Sequence, residues 1–316
     1  MGFINKIKLP QRTTWTVAGE HRETLFWPNL LNQPPKAVLL LIPGSPGIVD
    51  FYIDFCQSLH EQIPSMDIIG VSHLGHTLFE DNRGLVWRNK RVYSLEEQVA
   101  NMVKVFDEIY EEYKEDGSRP KMLLVAHSVG CYFAQRVVEC REDLVDRVYS
   151  LFPTVEHIAK TPRGKQLELA FLPGVRHFLS LTVDTLRWIL PLSLLYQLSD
   201  LSGSLNRENS QLVVDKMLHG TCVQNILKMA HDEMHTIKEL NCELYGRLGR
   251  KFVMYYGVDD GWSPVDHYYK MVKENTGGKV SLCEEGISHA FVTSHSSQMS
   301  HIVAEMLRQE LGMTKL

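Results

Sequence analysis

Short, continuous apolar runs alternate with amphipathic segments along most of this chain. The apolar runs are Ala37–Ile42, Ile68–Val71, Met122–Val125, Val148–Leu151, Lys251–Tyr256 and Val280–Cys283. Runs of this length predict strands that are buried on both faces, as in a parallel sheet. Amphipathic segments such as Leu95–Tyr113 and Val265–Glu274 predict helices between them. The alternation of strands and helices therefore predicts an α/β fold with a mostly parallel central sheet.

Two regions depart from this alternation. Near the start, Thr13–Val17 and Thr24–Trp27 alternate in polarity and predict a β-hairpin, with Ala18–His21 as its turn. Later, no strand-like run occurs from Val155 to Leu240, and Leu-rich helical patterns take over. We therefore predict a core made of residues 1–154 and 241–316, with residues 155–240 inserted as a helical lid.

The most apolar part of this insertion runs from Leu167 to Leu201. Prolines and charged residues interrupt it, namely Pro173, Arg176, Asp184, Arg187, Pro191 and Asp200. Such a segment can pack over its own domain, or lie in a membrane interface, more easily than it can span a bilayer, which takes about 18 or more apolar residues. The residues alone leave both the packed lid and the lipid-touching lid open.

Composition limits which classes of function are plausible and indicates the compartment in which the protein works. The 316 residues are 44% hydrophobic and 22% charged, which is typical of a globular protein with a sizeable core. A net charge of -5 without a long basic tract argues against a nucleic-acid partner. The six cysteines form no C-x-x-C pair, and Met1–Lys8 lacks the apolar core of a signal peptide. We therefore expect reduced thiols and a cytosolic environment.

The stretch Ala126-His-Ser-Val-Gly130 joins a predicted strand to an apolar helical segment, Cys131–Val138. A serine with small residues two positions away on each side, between a strand and a helix, is typical of a nucleophile elbow. The usual pattern is G-x-S-x-G, so Ala126 is a mild departure from it. For the pentapeptide alone, an ordinary strand-to-helix turn is the other interpretation.

Two more polar residues follow the last two predicted strands. Asp260 ends a Gly-x-x-Asp turn that begins at Gly257, and His289 lies in the final loop. Because the carboxyl ends of parallel strands share one edge of a sheet, we expect both to lie near Ser128. Their order in the chain is that of serine hydrolases of the α/β type. We predict Ser128 as nucleophile, His289 as base and Asp260 as the acid that orients it, with Asp259 as the alternative acid.

Two backbone N–H groups are candidates for an oxyanion hole. Val129 directly follows the predicted nucleophile, and Ser45 lies in the Pro43–Gly47 loop at the end of another strand. His127 is adjacent to Ser128 but points elsewhere on the turn. We therefore predict that His127 packs against or supports the site and is not the base.

Two pairs of histidines are spaced so that they could bind a metal ion. His73 and His76 have no nearby cluster that completes a coordination sphere. His231 and His235 have zinc-helix spacing, but Asp232 stands where that motif requires Glu. We predict no metal and no cofactor. The first pair is interpreted as part of a loop at a strand end, and the segment from His231 to His235 as an exposed helical face.

Several segments together resemble the lipid-droplet-associated hydrolases, a family with the α/β-hydrolase fold. They are Ile42–Gly47 with Asp50–Tyr52, Ala126–Gly130, Leu151–Thr154 with Thr161–Gly164, Tyr255–Gly257 with Trp262, and Ser288–Phe291. The resemblance runs along nearly the whole chain and is weakest before Lys36 and across Ser202–Glu239.

This resemblance implies a serine lipid esterase, with sterol esters as the substrate class usually named, at lipid droplets and the cytosolic face of the endoplasmic reticulum. It carries the roles of nucleophile, acid and base onto Ser128, Asp260 and His289, and it favours contact of Leu167–Leu201 with lipid. Two other classes remain open. One is a droplet-associated scaffold with vestigial catalysis, and the other is a soluble carboxylesterase or thioesterase with a purely structural lid.

Overall fold

The computed structural model describes residues 9–31, 33–80, 86–87, 91–114, 119–201 and 206–313. Residues 1–8, for which the sequence predicts no signal peptide, lie outside this part. The strands are β1 Gln11–Val17, β2 Glu20–Trp27, β3 Ala37–Ile42, β4 Met66–Val71, β5 Phe79–Glu80, β6 Val86–Trp87, β7 Lys121–His127, β8 Arg147–Leu151, β9 Phe252–Gly257 and β10 Lys279–Cys283. The six apolar runs singled out in the sequence lie in six of these strands, except for Lys251, which directly precedes β9.

Eight of the strands form one sheet in the order β1-β2-β4-β3-β7-β8-β9-β10. Strand β2 is antiparallel to both β1 and β4, and all pairs from β4 to β10 are parallel. All residues of β3, β4 and β9 are buried, as expected for strands covered on both faces. Strands β5 and β6 form a separate short antiparallel pair.

The opening hairpin has a tighter turn than the sequence predicted. Strand β2 begins at Glu20, so the turn consists of Ala18 and Gly19 alone, with φ angles of 51° and 81°. Two successive left-handed residues match the right-handed twist of the two strands that they join. The predicted turn through His21 was therefore two residues too long.

Eleven α-helices lie in the described residues. They are α1 Ile53–Gln62, α2 Leu95–Tyr113, α3 Gly130–Cys140, α4 Pro162–Leu167, α5 Pro173–Ile189, α6 Leu192–Leu201, α7 Arg207–Leu212, α8 Gly220–Thr236, α9 Cys242–Leu248, α10 Val265–Glu274 and α11 Ser296–Glu310. A π-helical turn, Val213–Met217, follows α7. Helices α1 and α11 pack on one face of the sheet, and α2, α3, α9 and α10 on the other. Strand order and layering confirm the α/β-hydrolase fold expected from the sequence.

Between β8 and β9 the described residues contain helices and no strand. Helix α5 packs along α8, and side chains from α8 and from Phe171 join the core that covers one face of the sheet. Helix α5 is described in full, and Ser180 is its one buried residue. No helix in the described part of the chain is long and apolar enough to cross a bilayer.

Candidate active site

Ser128 lies at a sharp turn between β7 and α3. Its φ angle is 54°, in the left-handed region that residues with a side chain rarely adopt. Its N–H donates to the Leu151 carbonyl at 3.0 Å, and its own carbonyl accepts from the Thr154 N–H at 3.3 Å. The turn is therefore held from the neighbouring strand β8, and its strained residue is the predicted nucleophile.

Glycines around Ser128 are required because neighbouring atoms approach the backbone closely. A Cβ atom on Gly130 would overlap the Ile42 carbonyl, and one on Gly44 would lie 2.8 Å from the Ser128 Cβ. Ala126, the departure from the usual motif, is fully buried inside β7 and pairs in register with Ile42. Alanine at this position is therefore compatible with the turn.

The structure brings Ser128, His289 and Asp260 into one hydrogen-bonded chain. The Ser128 Oγ lies 2.9 Å from His289 Nε2, and His289 Nδ1 lies 2.7 Å from Asp260 Oδ2. The other carboxylate oxygen of Asp260 accepts from the N–H groups of Trp262 at 2.8 Å and Ser263 at 3.0 Å. This carboxylate can hold the Nδ1–H tautomer of His289, which leaves Nε2 free to accept the serine proton.

Asp259 takes no part in the hydrogen bonds that join Ser128, His289 and Asp260. Its side chain is exposed, whereas Asp260 is buried. Of the two adjacent aspartates that the sequence left open, the structure places Asp260 against His289.

The Pro43–Gly47 loop is held beside Ser128 by the histidine pair that follows β4. His73 Nε2 donates to the Pro43 carbonyl at 3.0 Å, and His76 Nδ1 donates to the Pro46 carbonyl at 2.6 Å. Burial lowers the pKa of His73 well below its usual value and that of His76 to about 4. Both rings are therefore neutral at pH 7 and can donate one N–H each.

Two N–H groups at this edge have no hydrogen-bond partner among the described residues. They belong to Ser45, in the loop, and to Val129, at the start of α3. Ser45 also lines the cavity above Ser128. The neighbouring Gly44 N–H is occupied, because it donates to the Tyr52 hydroxyl at 2.8 Å. Both predicted oxyanion donors are thus free to bind a ligand oxygen.

His127 connects this loop to the base. The Tyr52 hydroxyl lies 2.7 Å from His127 Nδ1, and His127 Nε2 lies 2.8 Å from the His289 carbonyl. Because that carbonyl only accepts, Nε2 carries the proton and Tyr52 donates to Nδ1. Burial, with the nearby His289, lowers the pKa of His127 far below its usual value. Its two ring nitrogens are both engaged, so the structure gives it the supporting position that the sequence predicted.

A cavity of about 400 Å³ opens above Ser128. Its floor includes Ser45, Tyr52, Ser128 and His289, and its other walls come largely from residues of the predicted lid. Those residues are Ile158, Leu167, Phe171, Val213, Met217, Ile226, Ala230, Glu233 and Met234. The volume lies within the range of small-molecule sites, and the lid side of the cavity is almost wholly apolar.

The prediction of an exposed face from His231 to His235 was wrong for two of its residues. Glu233 and Met234 are buried and line the cavity, while His235 is exposed. Helix α8 packs against α5 and α2, which turns the face that carries Ile226, Ala230 and Met234 toward the cavity. The i, i+4, i+8 spacing of these residues was the signal in the sequence that would have revealed it.

The outer surface of α5 and α6 exposes large apolar side chains. Trp188 is 87% exposed, and Phe178 and Leu181 are each 68% exposed. Val175, Leu186, Ile189, Leu192, Leu194 and Leu198 in these two helices are exposed as well, and so are Leu169 and Leu172 just before α5. So many exposed large apolar residues within one short stretch of the chain are typical of a surface that binds protein or lipid.

Comparisons with known proteins show the family and the fold of this chain. The sequence profile of a family described as lipid-droplet associated hydrolase matches residues 35–292. Two proteins named lipid droplet-associated hydrolase are each 30% identical to this chain. The protein of Gallus gallus aligns over 89% of this chain and 87% of its own length, and that of Mus musculus over 89% of both.

Among solved structures, a thermophilic esterase from Thermogutta terrifontis superposes with a TM-score of 0.58 at 14% identity, covering 95% of this chain and 98% of its own. This likeness shows the α/β-hydrolase fold alone. The family match along most of the sequence, with relatives at 30% identity over nearly its whole length, shows more: the chain belongs to the lipid droplet-associated hydrolase family.

Proposed function

We propose that this protein is a serine hydrolase that cleaves carboxylic esters of lipids through an acyl-enzyme on Ser128. The observation that carries the proposal is the hydrogen-bonded chain from Ser128 through His289 to Asp260, placed at the floor of an apolar cavity. Membership in a hydrolase family supports the same class of reaction.

Each residue has a defined step in this reaction. His289 Nε2 takes the Ser128 proton as Oγ attacks the ester carbonyl, and Asp260 stabilises the imidazolium that forms. The N–H groups of Ser45 and Val129 donate to the oxyanion of the tetrahedral intermediate. His289 then returns the proton to the leaving alcohol. Water, activated by His289, attacks the acyl-enzyme and releases the acid with Ser128 restored.

The proposed substrates are lipid esters, with sterol esters as the class that the resemblance names. The apolar lid side of the cavity suits an acyl chain, because burying apolar surface there removes it from water. The proposed location is the lipid droplet and the cytosolic face of the endoplasmic reticulum. The exposed apolar surface of α5 and α6 supports this, since it can enter a lipid interface without spanning a bilayer.

Covalent labelling tests the reaction directly. A fluorophosphonate should label the purified full-length protein at Ser128, and Ser128→Ala should abolish both labelling and turnover of a lipid-ester panel that includes a sterol ester. Folded protein that stays unlabelled, or labelling that survives Ser128→Ala, would contradict a serine hydrolase. If unlabelled protein still bound droplets, a scaffold with vestigial catalysis would replace it.

A further inference from the structure

The lid wall of the cavity contains one ionisable side chain that has no partner in the described part of the chain. Glu233 on α8 is only 7% exposed, and its Oε1 forms no hydrogen bond with any described residue. It also forms no ion pair within the described residues. Yet it lines the same cavity as Ser128 and His289.

The adjacent carboxylate on α8, that of Asp232, has a structural role. Asp232 pairs with Lys228 one turn earlier and accepts from the Leu95 N–H at 3.1 Å, so it ties α8 to the start of α2. Glu233 lines the cavity instead, and among the described residues it forms no such link between α8 and another element. A buried polar group without a partner costs stability, which leaves binding of a ligand as the use of this side chain.

The chemistry of Glu233 suits a neutral ligand group. Burial, with the nearby charge of Asp232, raises the pKa of Glu233 to about 8. At pH 7 its carboxyl is therefore mostly protonated, with one O–H to donate and oxygen lone pairs to accept. A hydroxyl group has the same two capacities, so it can satisfy the carboxyl without bringing a charge into an apolar cavity.

A second unpartnered polar atom lies at the serine end of the cavity. Thr154 lines the cavity, its Oγ1 is buried with no partner among the described residues, and its N–H donates to the Ser128 carbonyl. Of the described lining residues, only Thr154 and Glu233 have such buried, unpartnered side-chain atoms. The cavity thus offers a polar group on its lid wall as well as at its floor.

We propose that Glu233 is a specificity-determining residue that binds a free hydroxyl group of the lipid ester held at Ser128. The inference rests on the proposed function and refines its substrate class. Esters that keep a hydroxyl in the alcohol part, as partial glycerides do, or in the acyl chain are preferred to counterparts without one. A sterol ester meets the requirement through a hydroxyl elsewhere on the sterol or the acyl chain.

Matched ester pairs test this on the full-length protein. One pair is monodecanoylglycerol and its di-O-methyl ether, and the other is methyl hydroxystearate and methyl stearate, so the two pairs distinguish an alcohol-side from an acyl-side hydroxyl. The wild-type kcat/KM for the hydroxylated member of one pair should exceed that of its counterpart at least about 10-fold. Glu233→Leu should remove this preference, chiefly by raising KM for the hydroxylated ester.

Two variants separate hydrogen bonding from shape. Glu233→Gln keeps a donor and an acceptor in nearly the same volume, so it should retain most of the preference. Glu239→Leu makes the same change at a side chain that is 78% exposed, and it should leave the preference at its wild-type value. An unchanged preference in Glu233→Leu, or its equal loss in Glu239→Leu, would overturn the proposal.

A binding measurement keeps the test independent of turnover. A nonhydrolysable monodecyl glycerol ether should raise the melting temperature of wild type more than its di-O-methyl ether does, and Glu233→Leu should abolish that difference. Protein that hydrolyses no ester but shows this difference would refute the proposed function and support the hydroxyl site. Equal shifts from the two ethers in wild type would refute the site, whatever the activity.

Discussion

The floor and the lid wall of the cavity differ in the side chains that line them and in how those side chains are held. On the floor, polar side chains are joined to one another: Tyr52 and His127 at one side, Ser128, His289 and Asp260 at the other. On the lid wall nearly every side chain is apolar, and the buried acid among them has no partner in the described residues. Hydrogen bonds therefore fix the atomic positions on the floor, whereas the lid wall offers apolar surface and one buried acid.

The largest expected effect tests how strictly the floor is organised. Asp260→Asn should lower kcat by about 10⁴-fold, because an amide in this position favours the wrong tautomer of His289. Asp259→Asn changes the exposed neighbour in the same turn and should leave kcat within about two-fold. Both are measured with a water-soluble ester, after circular dichroism has shown native helix content. Similar losses in both variants would mean that the turn, and not the Asp260 carboxylate, matters.

The floor is also the part of the site that the sequence predicted best. Its polar residues follow continuous apolar runs, and parallel strands bring such positions to one edge whatever the details of packing. Ser128, Asp260 and His289 could therefore be placed together from strand order alone. Asp260 was preferred because it is the fourth residue of a Gly-x-x-Asp turn, and Asp259 stayed the alternative, because adjacent residues of a turn differ only in which of them points inward.

The lid wall was predicted less well for a physical reason. Which face of a helix is buried depends on its neighbours, and the lid helices pack on one another as well as on the sheet. The polar residues around Glu233 favoured an exposed face, and only the packing of α8 against α5 and α2 turns that residue inward. The network through Tyr52 was likewise not predicted, because Tyr52 lies in the helical turn Val49–Tyr52 and not at a strand end, so strand order does not place it beside His127.

The next largest effect is the loss of stability that the buried Glu233 in the lid wall should cause as the pH rises. The pKa of Glu233 is about 8 in the folded protein and near 4.5 when unfolded, so the folded state binds more protons between these values. Stability is therefore complete below pH 4.5 and falls as the pH rises toward 8, by at most about 1.4 kcal/mol per unit. Glu233→Gln does not titrate and should be more stable than wild type by about 3 kcal/mol at pH 7.

Urea unfolding of both proteins at pH 5 and pH 7 measures this difference. The advantage of Glu233→Gln should be small at pH 5 and grow with pH, while the exposed Glu239→Gln should track wild type at both. If the wild-type and Glu233→Gln profiles ran parallel, the buried, protonated state of this acid would be wrong.

The exposed apolar residues on the outer surface of the lid should contribute to lipid binding, whereas those elsewhere on the protein should not. Replacing both Phe178 and Trp188 by Glu should weaken binding to triolein emulsions by at least about 100-fold, because burying each ring in lipid contributes about 1.5 kcal/mol or more. Tyr269 and Val272 on α10 are 63% and 50% exposed, and replacing both by Glu adds the same charge on another surface. That control should bind like wild type in emulsion flotation. Equal losses in the two double variants would point to net charge and not to a lid surface that enters lipid.

The smallest expected effect tests whether the supporting network of the floor acts on the reaction or only on the fold. Tyr52→Phe removes the hydroxyl that accepts from the Gly44 N–H and donates to His127, so two buried groups lose their partner. We expect kcat to fall by about 10-fold with little change in KM, because the loop that carries the Ser45 N–H and the backbone of His289 would be positioned less accurately. Stability should fall by about 1–3 kcal/mol as well.

Phe55→Leu is the control, a buried change on α1 that touches no hydrogen bond of this network. It should give a comparable loss of stability without the loss of kcat. If both variants lost kcat in proportion to stability, the network would serve the fold alone. A selective loss in Tyr52→Phe would show that the floor depends on residues that never contact the substrate carbonyl.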